Sequence, residues 1–187
     1  TMASNMKSNR RKFFQLAGTG AAASMVSLSM SGMPQPAAGA ALAKKQRPFR
    51  LAMASYSLRK FSLDDALKMT ASLELDAICL KSMHLPLDAS NADLAAAAAK
   101  AKEAGILVYG GGVITMKNKQ AVDRAFEYAK AAGMTKIIGV PAPDVLPLVN
   151  DKVQQYDIAV CIHNHGPGDD IYPTPDVAYE RIKHLDK

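Results

Sequence analysis

The chain has 187 residues, 49% of them apolar and 21% charged, which fits one globular domain with at most a small second one and excludes a disordered or collagen-like polymer. Its net charge of +6 raises the question of nucleic acid, but Lys7, Arg10, Arg11 and Lys12 fall in a stretch without acidic residues. Taking those four from 23 basic residues leaves 19 against 17 acidic ones. No basic stripe remains to neutralise phosphates, so the composition argues against a nucleic-acid partner.

Residues 1–43 have three parts in order. Asn9-Arg10-Arg11-Lys12-Phe13-Phe14 is charged, Leu16 to Met30 is weakly apolar, and small residues follow Pro34-Gln35-Pro36 up to Ala41-Leu42-Ala43. This is the layout of an export signal, and the arginine pair resembles the twin-arginine kind. The alternative is a disordered basic tail. The expectation is a twin-arginine signal peptide over 1–43, the translocase as partner during export, and a periplasmic or otherwise exported protein starting near Lys44. The apolar part is too short and too rich in Gly and Ser for a stable membrane anchor. No Cys lies near the cleavage site to carry a lipid.

Beyond residue 43, short apolar runs alternate with helical patterns. Strands are expected at Arg50–Tyr56, Ala77–Lys81, Ile106–Gly110, Lys136–Val140 and Ile158–His163. Helices are expected near Leu63–Leu73, Asn91–Ala104, Lys119–Ala132, Asp144–Gln155 and from Pro175 to about Leu185. Ser62 and Ser90, each with Asp three residues on, suit helix N-caps. Gly105 and Gly133 suit helix ends, and Thr174-Pro175 suits a cap with proline at the first helical position. Repeated strand–helix units without hairpin signals point to a parallel sheet covered by helices.

The strand side chains sort by parity. Ile78 and Leu80 oppose Ala77, Cys79 and Lys81, while Ile158, Val160 and Ile162 oppose Ala159, Cys161 and His163. One face is bulky and apolar. The other is small and turns polar at the strand's C-terminal end, as in a barrel that narrows inside and carries its site on top. A doubly wound sheet would be bulky on both faces. Its flavodoxin-like form would want a phosphate loop after the first strand, yet Ser55-Tyr56-Ser57-Leu58-Arg59-Lys60 has no glycine. The fold class read is therefore α/β, a partial (β/α)8 TIM barrel of about five units. Such a barrel takes about 250 residues, so the chain reads as truncated after its fifth unit.

Cys161-Ile162-His163-Asn164-His165-Gly166-Pro167 is the strongest chemical motif. Two imidazoles two residues apart at a strand end point to one side, where they can bind a divalent metal or act as acid and base. They can equally be a hydrogen-bonded pair ending a strand. The aspartates of the following Gly-Pro-Gly-Asp-Asp read as solvated turn residues. Lys81 has inward parity and is costly there unless it meets an anion, a carbonyl or a carboxylate. It can also snorkel to water. His84 lies in the next loop, free to face a site, and Tyr56 either joins it or fills the barrel mouth. Gly110-Gly111-Gly112 lacks nucleotide-binding spacing and reads as a place where substrate or backbone passes closely. Cys79 and Cys161 read as small buried core residues, not a disulfide.

Leu80-Lys81-Ser82-Met83-His84-Leu85-Pro86-Leu87, Ile114-Thr115-Met116-Lys117, Ile138-Gly139-Val140-Pro141 and Ile162-His163-Asn164-His165-Gly166-Pro167 together resemble the sugar phosphate isomerase/epimerase family. This is the xylose isomerase-like TIM-barrel superfamily, in its exported branch. The resemblance covers 49–187 and makes 44–187 the N-terminal part of such a barrel. It implies a divalent metal (Mn, Mg, Co or Zn) at the C-terminal face. Family members often place a Glu ligand at the end of the fifth strand, where this chain has His163. The other ligands usually come from strands six to eight.

The implied activity is isomerisation or epimerisation of a sugar or polyol, or a related lyase reaction, by proton abstraction next to a carbonyl. His163 is then the metal ligand, His165 and Lys81 are catalytic, and His84, Tyr56 and Asn164 contact substrate. The rival reading is a non-catalytic periplasmic carbohydrate-binding barrel. An abasic-site endonuclease of the same superfamily is disfavoured by the near-neutral charge beyond residue 43.

Overall fold

The computed structural model of the chain describes residues 49–185, and the export signal read at 1–43 lies outside the described residues. Five strands alternate with five helices: β1 (Met53–Ala54), α1 (Leu63–Ser72), β2 (Ala77–Leu80), α2 (Asn91–Glu103), β3 (Leu107–Met116), α3 (Lys119–Ala131), β4 (Lys136–Pro141), α4 (Leu146–Tyr156), β5 (Ala159–Ile162) and α5 (Pro175–Ile182). All neighbouring strands pair in parallel, in the order β1-β2-β3-β4-β5. That order separates the two architectures. A doubly wound sheet reverses direction at a switch point, whereas barrel staves follow one another as these do. The fold is an α/β sheet of five consecutive barrel units.

The helix boundaries follow the local chemistry of the sequence. Ser62 and Ser90 accept the amides of Asp65 and Asp93 at 3.1 Å, and Thr174 accepts that of Val177 at 3.2 Å. Each serine hydroxyl also donates to the carboxylate three residues on. Gly105 and Gly133 take φ of 71° and 65° at the ends of α2 and α3. Among the described residues no helix is long and apolar enough to cross a membrane.

The bulky face of the sheet packs under the helices. Ile78, Leu80, Val108, Ile114, Ile137 and Ile158 share one core with Leu67, Leu94, Val122, Phe126 and Val149. The opposite face is open, with Ala54, Ala159 and Cys161 exposed. Both cysteines are free, as expected, but only Cys79 is buried. Cys161 departs from the expected burial because it sits on β5, the last strand of the sheet among the described residues, where its face has no covering neighbour.

Two strand ends also differ from the sequence reading. β1 stops at Ala54, and Ser55–Leu58 form a 3₁₀ turn, so Tyr56 belongs to a turn rather than a strand. β3 continues through the glycine run to Met116 and pairs with β4 from Gly110 to Met116, with a shift of register between Gly112 and Ile114.

Candidate functional site

The strands run parallel, so the C-terminal ends of β1, β2 and β5 lie at one end of the sheet, and Tyr56, Lys81 and His163 follow them within two residues. His163 follows β5 directly. Its amide donates to the Gly139 carbonyl at 2.9 Å, extending the ladder by one residue. His165 lies two residues on, its ring meeting that of His163 edge to face, with centroids 4.6 Å apart and planes at 85°. Both histidines lie past the end of β5, at Ile162, so strand alternation does not by itself set the side they share. Asn164, between them, is half-buried.

His165 is oriented from behind. Its Nδ1 lies 2.6 Å from Oδ2 of Asp169. The other oxygen of Asp169 accepts the amides of Ile171 at 2.7 Å and Tyr172 at 2.8 Å. Those amides, followed by His165, hold the Asp169 carboxyl below the usual carboxylate range. An ionised carboxylate only accepts, so Nδ1 carries the hydrogen and Nε2 is left for a ligand. Asp169, read from sequence as a solvated turn residue, is instead the partner of His165. The signal was the four-residue spacing from His165, which a glycine-rich loop can fold back on itself.

The loop is tied down by Tyr172, which is fully buried and donates its hydroxyl to the Pro141 carbonyl at 2.8 Å. It packs with Val140 and Ala178, while Ile162 and Ile171 close the cluster. Tyr172→Phe leaves that buried carbonyl unpaired and is expected to cost about 1–2 kcal/mol. Urea unfolding should show a lower midpoint at unchanged slope.

Lys81 enters from β2. Its ammonium nitrogen lies 5.4 Å from the centre of the Tyr56 ring, and Arg59 lies 4.7 Å from the same ring. Lys81 also acts on His163. Burial, then His165, then Lys81 push the His163 pKa down, with Asp169 opposing. His163 is therefore a neutral imidazole near pH 7, in electrostatic reach of one ammonium. Tyr56 and Lys81 thus form one group past β2, and His163, His165 and Asp169 another past β5.

His84 joins neither. The ring is buried, with Nδ1 3.0 Å from the Ser55 hydroxyl and Nε2 3.1 Å from the Phe61 carbonyl. Both nitrogens are taken by protein, which overturns the expectation of a ring free to face a site. On the open face, burial pushes the Cys79 thiol up.

Among the described residues no three His, Cys, Asp or Glu side chains come together as donors. The residues present therefore do not make a metal site by themselves. His163 and His165 offer two imidazoles, one of them already bonded to Asp169.

No protein-family model matches the chain, and no curated protein does either. Solved structures do. An uncharacterised protein from Parabacteroides distasonis matches with a TM-score of 0.63 at 19% identity, over 74% of this chain and 60% of that one. A xylose isomerase-like TIM barrel/4-hydroxyphenylpyruvate dioxygenase fusion protein matches at 0.58 and 13%, over 71% and 24%. A sugar phosphate isomerase/epimerase from Parabacteroides distasonis matches at 0.50 and 11%, over 78% and 65%. The fold is a partial TIM barrel, the architecture these structures share. The chain spans less than two thirds of the length of each of these structures. Identities of this size speak for the fold and leave the chemistry to the residues.

Proposed function

We propose that the chain carries one side of the active site of a sugar or polyol isomerase or epimerase, or a related lyase. The observation that carries this reading is the His165–Asp169 pair, which follows the C-terminal end of a barrel strand. In TIM barrels that end is where chemistry is done.

The step the side chains suit is proton transfer next to a carbonyl. Nε2 of His165 takes the proton from the carbon, and Asp169 stabilises the imidazolium that forms. The electron pair moves onto the carbonyl oxygen, which the Lys81 ammonium meets as charge develops. Return of the proton to the former carbonyl carbon, with the adjacent hydroxyl's proton passing to the former carbonyl oxygen, isomerises; a proton delivered by a second acid to the opposite face of the same carbon epimerises. Tyr56 offers a ring for the apolar face of a sugar, and Asn164 an amide for a hydroxyl. No part of this step runs through a metal. The export proposal rests on the order of Asn9–Phe14, the weakly apolar Leu16–Met30 and the small residues up to Ala43.

The test is deuterium wash-in. The purified full-length protein is incubated in D₂O with a panel of aldoses, ketoses and inososes and followed by NMR. Exchange at a carbon next to the carbonyl is expected for at least one of them. Saturable binding of neutral sugars without exchange would instead favour the carbohydrate-binding barrel, and the absence of both exchange and binding would end both readings. Elemental mass spectrometry, wild type beside His163→Ala, addresses the cation separately. A stoichiometric divalent ion lost in the variant assigns His163 as a donor, and no ion in either protein withdraws that role.

A further inference from the structure

We infer that Ser55 and His84 are positioning residues that set where Lys81 enters the site. The inference rests on the role proposed for Lys81. The Ser55 hydroxyl, fully buried, accepts the Lys81 amide at 2.8 Å. The amides of His84 and Leu85 donate to the Lys81 carbonyl at 2.9 and 3.0 Å. Both backbone groups of Lys81 are thus held just past the last residue of β2. With the backbone held there, the direction in which the side chain leaves the sheet is set.

The hydrogens of the network can be placed from its acceptors. The Phe61 carbonyl only accepts, so Nε2 of His84 carries a proton. The Ser55 oxygen already accepts from Lys81, and its own hydrogen is then best placed on Nδ1 of His84. Every donor in the chain Lys81–Ser55–His84–Phe61 has one acceptor. This relay joins the end of β1, the end of β2 and the residue before the cap of α1. Loss of the imidazole frees the Ser55 rotamer, and with it the anchor of the Lys81 amide.

Two amide substitutions separate this role from simple packing. In His84→Asn the side-chain oxygen falls near the place of Nδ1 and can still accept from Ser55. In His84→Gln the amide reaches the place of Nε2 and keeps only the Phe61 contact. The experiment is reductive methylation of the lysines in the full chain, without substrate, with each site followed by peptide mass spectrometry. Lys81 is expected to react about fivefold faster in His84→Gln and Ser55→Ala, the population shift that loss of about one hydrogen bond gives. In His84→Asn its rate should match the wild type, and Lys117 and Lys183 should stay unchanged throughout.

A wild-type Lys81 rate in folded Ser55→Ala would overturn the inference. So would a rise at all lysines together, or rescue by Gln rather than Asn, since each describes a residue that only holds the fold. No sugar is present, so labelling can fail while wash-in succeeds, and the converse, and the two failures are distinguishable.

Discussion

Asp169→Asn is expected to lower the wash-in rate by about 10²–10⁴-fold while the chain stays folded. The asparagine oxygen can still accept the amides of Ile171 and Tyr172, so the loop keeps its shape. The nitrogen then faces Nδ1 of His165, where the wild type has a carboxylate oxygen 2.6 Å away. Two donors cannot share that contact, so the ring must move its hydrogen to Nε2. The nitrogen that should take a proton from substrate then already holds one. His165→Ala should reach the same floor, and the double variant should fall no lower, because the two residues act as one unit. Wild-type turnover in Asp169→Asn would remove the pair from the mechanism.

The same substitution has a sign in pH. The Asp169 carboxyl is lowered in the folded state, so the ionised form binds its partners and the protonated form does not. Its contribution to stability is present above the unfolded value, about 3.9. It is lost as pH falls through the lowered folded value. The wild type should lose stability over that acid window more steeply than Asp169→Asn. Thermal midpoints measured from pH 6 downward would show the two curves converging.

The fold was largely legible because its causes are local. Ile78 and Leu80 show their face by parity, and Ser62 and Ser90 mark helix starts by their spacing to Asp65 and Asp93. What was illegible depends on contacts between distant segments. His84 was visible as a histidine in a loop, but its partners Ser55 and Phe61 lie 29 and 23 residues away, and no local pattern announces them. Asp169 sits in a Gly-Pro-Gly-Asp-Asp stretch that reads as a solvated turn. Only the burial of Tyr172 against Pro141, 31 residues away, turns that loop back toward His165. Tyr56 was misplaced for a similar reason. Pairing of the Ser55 hydroxyl with β2 accompanies a tight turn where strand alternation would have continued.

The glycine run is where a sequence reading of close backbone approach meets its cause. Gly112→Ala is expected to cost at least about 4 kcal/mol and to leave little folded protein at 37 °C. Gly112 has φ of 137°, a conformation side chains rarely adopt, and an added Cβ would lie 2.1 Å from the Ile138 carbonyl oxygen. That oxygen belongs to β4, so relief requires the strand to move. The register of β3 against β4 shifts between Gly112 and Ile114, which puts Ile138 opposite Gly112 and Gly139 opposite Ile114. The Gly139 carbonyl is the acceptor for the His163 amide, so pushing β4 away also displaces the first histidine of the site. Gly133→Ala is the control. Its φ is 65° with nothing within 4 Å of the new carbon, so only the left-handed backbone is penalised, by about 1–2 kcal/mol. Denaturant midpoints for the two variants separate collision from conformation. A Gly112→Ala protein no less stable than Gly133→Ala would mean that β3 and β4 can part without cost, and that the close approach at Gly112 does not hold the two strands in register.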